Sequence, residues 1–427
     1  MTGGEGAGSF SPSRVFWMFL AQVLSADRAC RTILRRFLAE LALDGKTASA
    51  RTAAYCKARR RLRQKDLDEV HASLARKAQA MYAPARLWRG RPVKVVDGSG
   101  LSMPDTPANQ ALYPQSAHAK PGCSFPVMRV VVVFSLGTGL LIDLARGTLR
   151  TSERALFRQL WERLEKGDVV LADRGFAGFA EFYYLLRQGV DCVMRNHSRR
   201  TVGVTVVRRL GKNDHLVRWH KSKPPVVWLD KAAWAALPDT LLVRQIQFAV
   251  PIPGFRTRSV TLATTLLDPV AFPTEAFIEL YRQRWQAELY LRDIKITLGM
   301  DVLRCKTPEM VHKELSMFFI AYNLVRVLML EAAASEHVPI ERLSFKGTVA
   351  TLRAWAPILA ACPHRKERQR LLSLLLRCLA GDLLPLRPNR LEPRAKKRRP
   401  KNYQLLNKPR HLFKEIQHRN RYTATLS

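Results

Sequence analysis

Between residues 92 and 196, short valine-rich runs alternate with segments whose apolar residues recur at helical spacing. The β-branched runs are "VKVVDG", "MRVVVVFSLGTGLLIDL", "DVVLADRG" and "VDCVMRN", and Gly137–Gly139 splits the second into a hairpin. Helices are expected after Ser152, a candidate N-cap, and before Gly189, a candidate helix end. The order strand, hairpin, helix, strand, helix, strand predicts a mixed α/β sheet with helices on its faces.

Two aspartates are expected at strand ends within this sheet. The strand Val93–Val96 is predicted to stop at Asp97, and the strand Val169–Ala172 to end at Asp173. Open α/β sheets carry their sites at the carboxyl ends of strands. The order of elements is that of a ribonuclease H-like domain, and both aspartates are candidate site residues.

The charge of the chain indicates a polyanionic partner. Its 427 residues contain 71 Lys+Arg and 35 Asp+Glu, a formal net charge of +36. Binding a polyanion relieves such self-repulsion, and nucleic acid is the simplest one. The sequence has no lipidation motif and no run of about 20 apolar residues, so a membrane partner is not expected. The seven dispersed cysteines favour reduced thiols in the cytoplasm and argue against a zinc site.

Composition divides the chain into six expected segments. A helical DNA-binding domain at 1–85 carries a basic cluster that includes Lys57, Arg59 and Arg60. A solvated face and a phosphate-binding face both account for this cluster. The other segments are the first part of the α/β core (86–196), an all-β insertion (197–272), the helix that completes the core (273–300), a helical C-terminal region (301–386) and a basic tail (387–427).

The stretch "YRQRWQAELYLRDIK" is predicted to be helical, with Tyr281, Arg284, Glu288 and Lys295 at offsets of three, four and seven. At about 100° per residue these positions fall within a sector of roughly 60°. One interpretation is a solvated face with an Arg284–Glu288 pair, which would be worth only about 0.2–0.5 kcal/mol. The other is a binding face with an acid at its centre.

Asp97, Asp173 and Glu288 form a candidate set of metal ligands. Carboxylate oxygens suit Mg²⁺ or Mn²⁺, and two such ions can activate an attacking oxygen and stabilise the leaving oxygen in phosphodiester transfer. A magnesium site facing phosphate also explains acids among so many basic residues. The rival candidates are Asp105, Asp143, Asp293 and Asp301.

A family resemblance is carried by the spacing Tyr-x₂-Arg-x₃-Glu-x₆-Lys of the four residues from Tyr281 to Lys295. The stretches "VVDGSGLSMPDT", "LADRGF", "LGMDVLRCKTPEMVHKEL" and "PRAKKRRPKNYQLL" accompany it. From about Phe16 to Leu412 the chain closely resembles the DDE transposases of bacterial insertion sequences, family four. The resemblance implies a ribonuclease H-like core interrupted by the β insertion.

The resemblance also implies roles for individual residues. Asp97, Asp173 and Glu288 would hold two Mg²⁺ or Mn²⁺ ions, while Tyr281, Arg284 and Lys295 would contact the terminal phosphate and displaced bases of a DNA end. Such a protein binds the inverted repeats of its own element, cleaves at the ends and joins the 3′ ends to target DNA. It would act as a homodimer in the bacterial cytoplasm, at the nucleoid, without a nucleotide cofactor.

Several alternatives stay open at this point. In this branch of transposases a tryptophan of the insertion stacks on a flipped base; Trp219, Trp228 and Trp234 are candidates by region, and a buried position is favoured for each. Members usually have more helical sequence before "VFWMFLAQVL", so an N-terminally short copy is expected. The rival functions are a catalytically silent DNA-binding repressor and a metal-dependent nuclease without strand transfer.

Overall fold

The computed structural model describes residues 10–196, 203–249, 259–386 and 406–413. The strands are β1 Val93–Ser102, β2 Val127–Ser135, β3 Leu141–Thr148, β4 Val169–Ala172, β5 Asp191–Arg195, β6 Val204–Gly211, β7 Asp214–His220, β8 Thr240–Ala249 and β9 Ser259–Thr264. The helices are α1 Pro12–Leu24, α2 Cys30–Leu43, α3 Thr52–Arg61, α4 Gln64–Tyr82, α5 Pro107–Leu112, α6 Glu153–Arg158, α7 Phe179–Arg187, α8 Lys231–Ala235, α9 Thr274–Gln283, α10 Trp285–Arg292, α11 Pro308–Ser335, α12 Phe345–Ala361 and α13 Arg365–Gly381.

The strands form one mixed sheet in the order β3-β2-β1-β4-β5-β9-β8-β7-β6. The β2–β3 hairpin is confirmed, and Gly139 supplies the left-handed residue of its turn with a φ of +68°. Ser152 caps α6 by accepting a hydrogen bond from the Ala155 amide at 3.1 Å, as predicted. Gly189 follows α7, also as predicted. The mixed α/β sheet with helices is therefore confirmed.

The predicted end of β1 at Asp97 is wrong, since the strand continues to Ser102. Its antiparallel register with β2 runs without interruption from Lys94–Ser135 to Ser102–Val127. Its parallel register with β4, in contrast, ends at Val95–Leu171. Asp97 thus lies inside β1 but beyond the part of the strand that is hydrogen-bonded on both sides.

The all-β description of the insertion is wrong, because the segment also contains the helix α8. Its strands β6 to β9 continue the sheet of the core, since β9 pairs with β5. The stretch "PPVVWLD" is not a strand, and the helix α8 follows it. Pro224 and Pro225 supply no backbone N–H, and Asp230 caps α8 by accepting from the Ala233 amide at 2.6 Å.

The sheet separates two apolar cores. Alternate residues of a strand face opposite sides, so Val95 packs with α10, α11 and the N-terminal helices, whereas Val96 packs with α6 and α7. By the same alternation, Asp97 belongs to the α10 face and Gly98 to the α6 face. Residues of α10 therefore approach β1 from the Asp97 side of the sheet, and residues of α6 from the Gly98 side.

Helix α11 corrects the expectation that no segment is long and apolar enough to span a membrane. Within the described residues it meets that criterion by length and composition, but 72% of its apolar window is buried inside the protein. Asn323 in this helix bonds both the amide and the carbonyl of Leu141 at 2.9 and 2.8 Å. Its apolar surface therefore belongs to the core that supports the hairpin.

Most of the predicted basic tail, 387–427, lies outside the described residues. Its described part, residues 406–413, packs against the loop after β1. Arg410 forms an ion pair with Asp105 and donates its backbone N–H to the Gly122 carbonyl at 3.0 Å. This contact ties the C-terminal segment to the loop that follows β1.

Candidate active site

Asp97 in β1 lies at the same level as Asp173, which directly follows the adjacent parallel strand β4. The last parallel pair of β1 and β4 is Val95 with Leu171, and each aspartate is two residues further along its strand. Beyond that pair β1 keeps its β2 partner, with Asp97 opposite Val132, while β4 ends at Ala172. The edge of β1 next to Asp97 is therefore not covered by β4.

The Asp97 carboxylate is harder to ionise than a solvent-exposed aspartate, chiefly because it is buried. Burial raises its pKa to about 6. The Gly98 amide, which donates to Oδ1 at 2.9 Å, and the Arg284 guanidinium favour the ionised form, while the charges of Glu288 and Glu153 oppose it. A divalent cation beside Asp97 would favour its ionised form.

The single helix expected over residues 281–295 is interrupted. Between α9 and α10 the Arg284 amide bonds the Tyr281 carbonyl and the Ala287 amide bonds the Arg284 carbonyl, both at 3.1 Å and both three residues apart. After α10 the chain makes a π-helical turn at Asp293–Thr297, which widens the helix. Lys295 therefore does not lie in the narrow sector calculated for a regular α-helix.

Arg284 is the central cation of the site. Its Nη2 lies 3.1 Å from Oε1 of Glu288, and its guanidinium carbon lies 5.9 Å from the centre of the Tyr281 ring. The same guanidinium interacts electrostatically with Asp97 and Asp173. One largely buried arginine thus pairs with Glu288 and interacts electrostatically with two further acids, Asp97 and Asp173.

The two outer residues of the predicted signature lie on opposite sides of this group. Burial raises the pKa of Tyr281, the negative charge of Asp173 adds to this, and the ring makes an edge contact with Phe248 at 6.4 Å between centres. Lys295 donates from Nζ to Ser99 Oγ at 2.9 Å and to the Gly100 carbonyl at 3.2 Å. Lys295 therefore lies along β1, just past Asp97.

One acid that the sequence pattern does not single out, Glu153, also lies beside Asp97. A Cβ atom at Gly98 would lie 2.5 Å from both Cδ and Oε1 of Glu153. The sequence separation of Glu153 from Asp97 carries no signal, since only the packing of α6 against β2 and β3 brings the two residues together. The one sign of this contact in the sequence is the glycine directly after Asp97, because a larger residue there would clash with Glu153.

The donor set of the site fits a hard divalent cation, because all of its acidic ligands are carboxylate oxygens. Among the residues that the structure describes, no group of three or more His, Cys, Asp or Glu side chains is close enough together to hold an ion. Glu288 is instead paired with Arg284. The oxygen donors thus fit Mg²⁺ or Mn²⁺ in kind, while in this structure the positive charge nearest to Glu288 is that of Arg284.

Two of the four rival aspartates form ion pairs elsewhere in the structure. Asp143 accepts from Arg163 Nε at 2.7 Å, and Asp105 pairs with Arg410. Burial raises the pKa of Asp293 to about 6, and Arg292 and Arg326 partly offset this effect. For Asp301 the backbone amide bonds the Lys295 carbonyl at 3.2 Å.

The basic cluster of α3 is only partly available to a ligand, and including Arg59 in it was wrong. Arg59 is buried, its guanidinium carbon lies 4.8 Å from the centre of the Phe19 ring, and Nη1 donates to Gln22 Oε1 at 3.2 Å. Lys57 and Arg60 are exposed. The basic residues in the last turn of α3 also complement the helix dipole.

The structure separates the three tryptophan candidates. Trp219 and Trp234 are buried, as the favoured alternative predicted. Trp228 is half-buried in a turn rather than in a strand, with the Arg158 guanidinium carbon 4.3 Å from its ring centre and Trp161 at 6.0 Å. Its ring is thus already packed against the helices that follow β3 and β4.

The chain is similar in sequence to known transposases. The family model described as the transposase DDE domain matches residues 88–324. The transposase InsG for insertion sequence element IS4 of Escherichia coli (strain K12) is 29% identical over 399 residues, which are 91% of this chain and 85% of that protein. The cryo-EM structure of the piggyBac transposase synaptic complex with hairpin DNA aligns at 10% identity and a TM-score of 0.43, over 90% of this chain and 79% of that chain, a likeness too weak to establish a shared fold.

Proposed function

The chain belongs to the DDE transposases of the IS4 family, and from that premise we propose that it binds the terminal inverted repeats of its own element. It cleaves the DNA at those ends by metal-dependent phosphodiester hydrolysis. It then joins the freed 3′ ends to target DNA. The net charge of +36 provides the sequence-independent part of the affinity for both DNA partners.

The observation that carries this proposal is the convergence of three elements on one cation. Asp97 comes from β1, Asp173 from the end of β4 and Glu288 from α10, and all three act on Arg284. When DNA and divalent cations bind, these acids can exchange their arginine partner for the cations. The DNA phosphate would pair with Arg284, and the carboxylates could then coordinate the cations.

Asp97, Asp173 and Glu288 are the residues proposed to hold two Mg²⁺ or Mn²⁺ ions. When bound, such ions lower the pKa of water and offset negative charge on the reacting phosphate. The forked guanidinium of Arg284 would grip the terminal phosphate, and Lys295 would add a point charge. Tyr281 would offer a flat ring with a hydrogen-bonding tip to displaced bases.

The wider architecture supports a ribonuclease H-like core. Antiparallel β3-β2-β1 followed by parallel β4 and β5 is the arrangement expected from the strand and helix order. The proposal includes a homodimer that brings two element ends together, and a cytoplasmic location at the nucleoid. It also includes contact of the exposed Lys57 and Arg60 with the DNA backbone.

A strand-joining reaction tests this function. A duplex of the element end, precleaved to expose its terminal nucleotide, is incubated with the protein, Mg²⁺ and a supercoiled plasmid, with either a 3′-hydroxyl or a 3′-deoxy terminus. The proposal predicts a joined product from the 3′-hydroxyl duplex and none from the 3′-deoxy duplex. Hydrolysis of DNA without joining would favour a nuclease, and binding without either reaction would favour a repressor-like copy.

A further inference from the structure

Helix α6 packs against β2 and β3, and the side chain of its first residue reaches Gly98, next to Asp97 in β1. Arg129 of β2 donates from Nη1 to the Thr151 carbonyl at 2.7 Å, which fixes the entry to the helix. Arg154 donates from Nε to the Gly175 carbonyl at 3.1 Å, which ties the first turn to the loop after Asp173. The first residue of this anchored turn is Glu153.

Gly98 makes room for the Glu153 side chain. A Cβ atom at residue 98 would lie 2.5 Å from Cδ and Oε1 of Glu153, closer than real side chains approach. Because Gly98 is on the α6 face and Asp97 on the α10 face, the Glu153 carboxylate reaches the backbone of β1 from the side opposite Asp97. Both carboxylates therefore approach the stretch of β1 that extends beyond β4.

The Glu153 carboxylate has no ion-pair or hydrogen-bond partner among the described residues. Its neighbour on α7, Glu181, is paired with Arg158 at 2.9 Å. Arg154, the residue after Glu153, also approaches Glu181, at 4.0 Å. Arg154 and Arg158, one helical turn apart, thus both interact with the buried Glu181. Glu153 has no such partner and lies near Asp97. Neighbouring carboxylates repel one another unless a proton or a cation lies with them.

We infer that Glu153 is a fourth carboxylate of the metal site, acting with Asp97 on the ion held at β1. This inference rests on the proposed function, because it concerns the same divalent ions. The position of Glu153 does not depend on Arg284, unlike that of Glu288. Glu153 and Asp97 are therefore in position in the DNA-free protein, whereas Glu288 becomes available only when DNA binds Arg284.

Binding of Mn²⁺ to the full chain without DNA tests the inference without relying on activity. Calorimetric titration compares wild type with Glu153→Gln and Asp97→Asn, and Glu162→Gln is the matched control, an exposed glutamate just after α6. We expect about tenfold weaker Mn²⁺ binding for Glu153→Gln, as for loss of a supporting carboxylate, and wild-type binding for Glu162→Gln. Gly98→Ala, which fills the space that Glu153 occupies, should weaken binding in the same direction.

The possible results separate the inference from the function on which it rests. Wild-type Mn²⁺ affinity in Glu153→Gln, together with weaker binding in Asp97→Asn, would overturn the role of Glu153 and leave the proposed metal site intact. Unchanged binding in both variants would contradict the metal site and the role of Glu153 together. Thermal unfolding with and without Mn²⁺ provides a second readout, since only variants that still bind the ion should be stabilised by it.

Discussion

Asp97 in β1 and Asp173, which directly follows β4, are each two residues beyond the parallel pair Val95–Leu171. The pairing of β1 with β4 therefore fixes their backbone positions at the same end of the sheet. Glu288 differs, because it comes from a helix and its carboxylate is paired with Arg284. The candidate site therefore has two parts: Asp97 and Asp173, which the sheet holds in place, and Glu288, which can exchange its partner Arg284 for another.

The forked guanidinium of Arg284 should matter beyond its charge. Arg284→Lys keeps the positive charge but loses the paired donors, so we expect element-end affinity to fall about tenfold, or roughly 1.4 kcal/mol. Gel-shift titration at one fixed salt concentration measures this. Arg292→Lys, at an exposed position on α10, is the control and should bind like wild type. An unchanged affinity in Arg284→Lys would contradict the proposed phosphate contact.

Trp228 should contribute to stability rather than to DNA binding. Replacing it by alanine removes the contacts with Arg158 and Trp161, and we expect the free energy of unfolding to fall by about 2 kcal/mol. Denaturant unfolding provides the measurement. Trp17→Ala, at a side chain that is 61% exposed, should change stability by less than about 0.5 kcal/mol. Normal stability with impaired end processing in Trp228→Ala would instead favour a base-stacking role.

Asp293 makes stability depend on pH in a defined direction. Burial raises the pKa of this acid from its ordinary value of 3.8 to about 6. Its contribution to stability is therefore fully present below about pH 4 and is lost as the pH rises through 6. Asp293→Asn should be more stable than wild type above pH 6, by on the order of 1–3 kcal/mol, and equally stable near pH 4. Unfolding curves at both pH values measure this, and a constant difference would contradict it.

Cys56 should react with alkylating reagents at lower pH than Cys30, the other cysteine of the N-terminal helices. Its Sγ lies 4.0 Å from Cys30 Sγ, and the Cys30 thiol together with Arg59 lowers its pKa to about 6. Since the thiolate is the nucleophile, iodoacetamide labelling of Cys56 should have a midpoint near pH 6. Peptide mass spectrometry across pH 5–9 measures the labelling. A midpoint at the ordinary thiol value of about 8.5 would contradict the proposed stabilisation of the thiolate.

The positions of the candidate site residues in the fold were predictable from sequence where local pattern and register coincide. Asp173 follows β4 as expected, because a buried valine-rich run ends there. Asp97 was expected at a strand end but lies within β1, since the long pairing with β2 is a tertiary property that one strand does not reveal. Arg59 was expected on a face for phosphate, yet the rings of Phe19 and Tyr55 bury it.

Other features depend on contacts between distant segments. Glu153 reaches Gly98 only because α6 packs against β2 and β3, and no spacing in the sequence records that approach. The π-helical turn at Asp293–Thr297 breaks the regular spacing from which a 60° sector was calculated, and Lys295 bonds Ser99 of β1. Helical periodicity predicts which residues share a helix, but not where that helix changes its pitch.

Cleavage of the element's own end tests the central claim most directly. A labelled duplex carrying that end is incubated with Mg²⁺ and wild-type protein, Asp97→Ala, Glu288→Ala or Glu279→Ala, the last at an exposed position on α9. The account predicts cleavage at the end by wild type and Glu279→Ala, and none by Asp97→Ala or Glu288→Ala. Binding of the duplex without cleavage by any of the four proteins, or equal cleavage by all four, would contradict it.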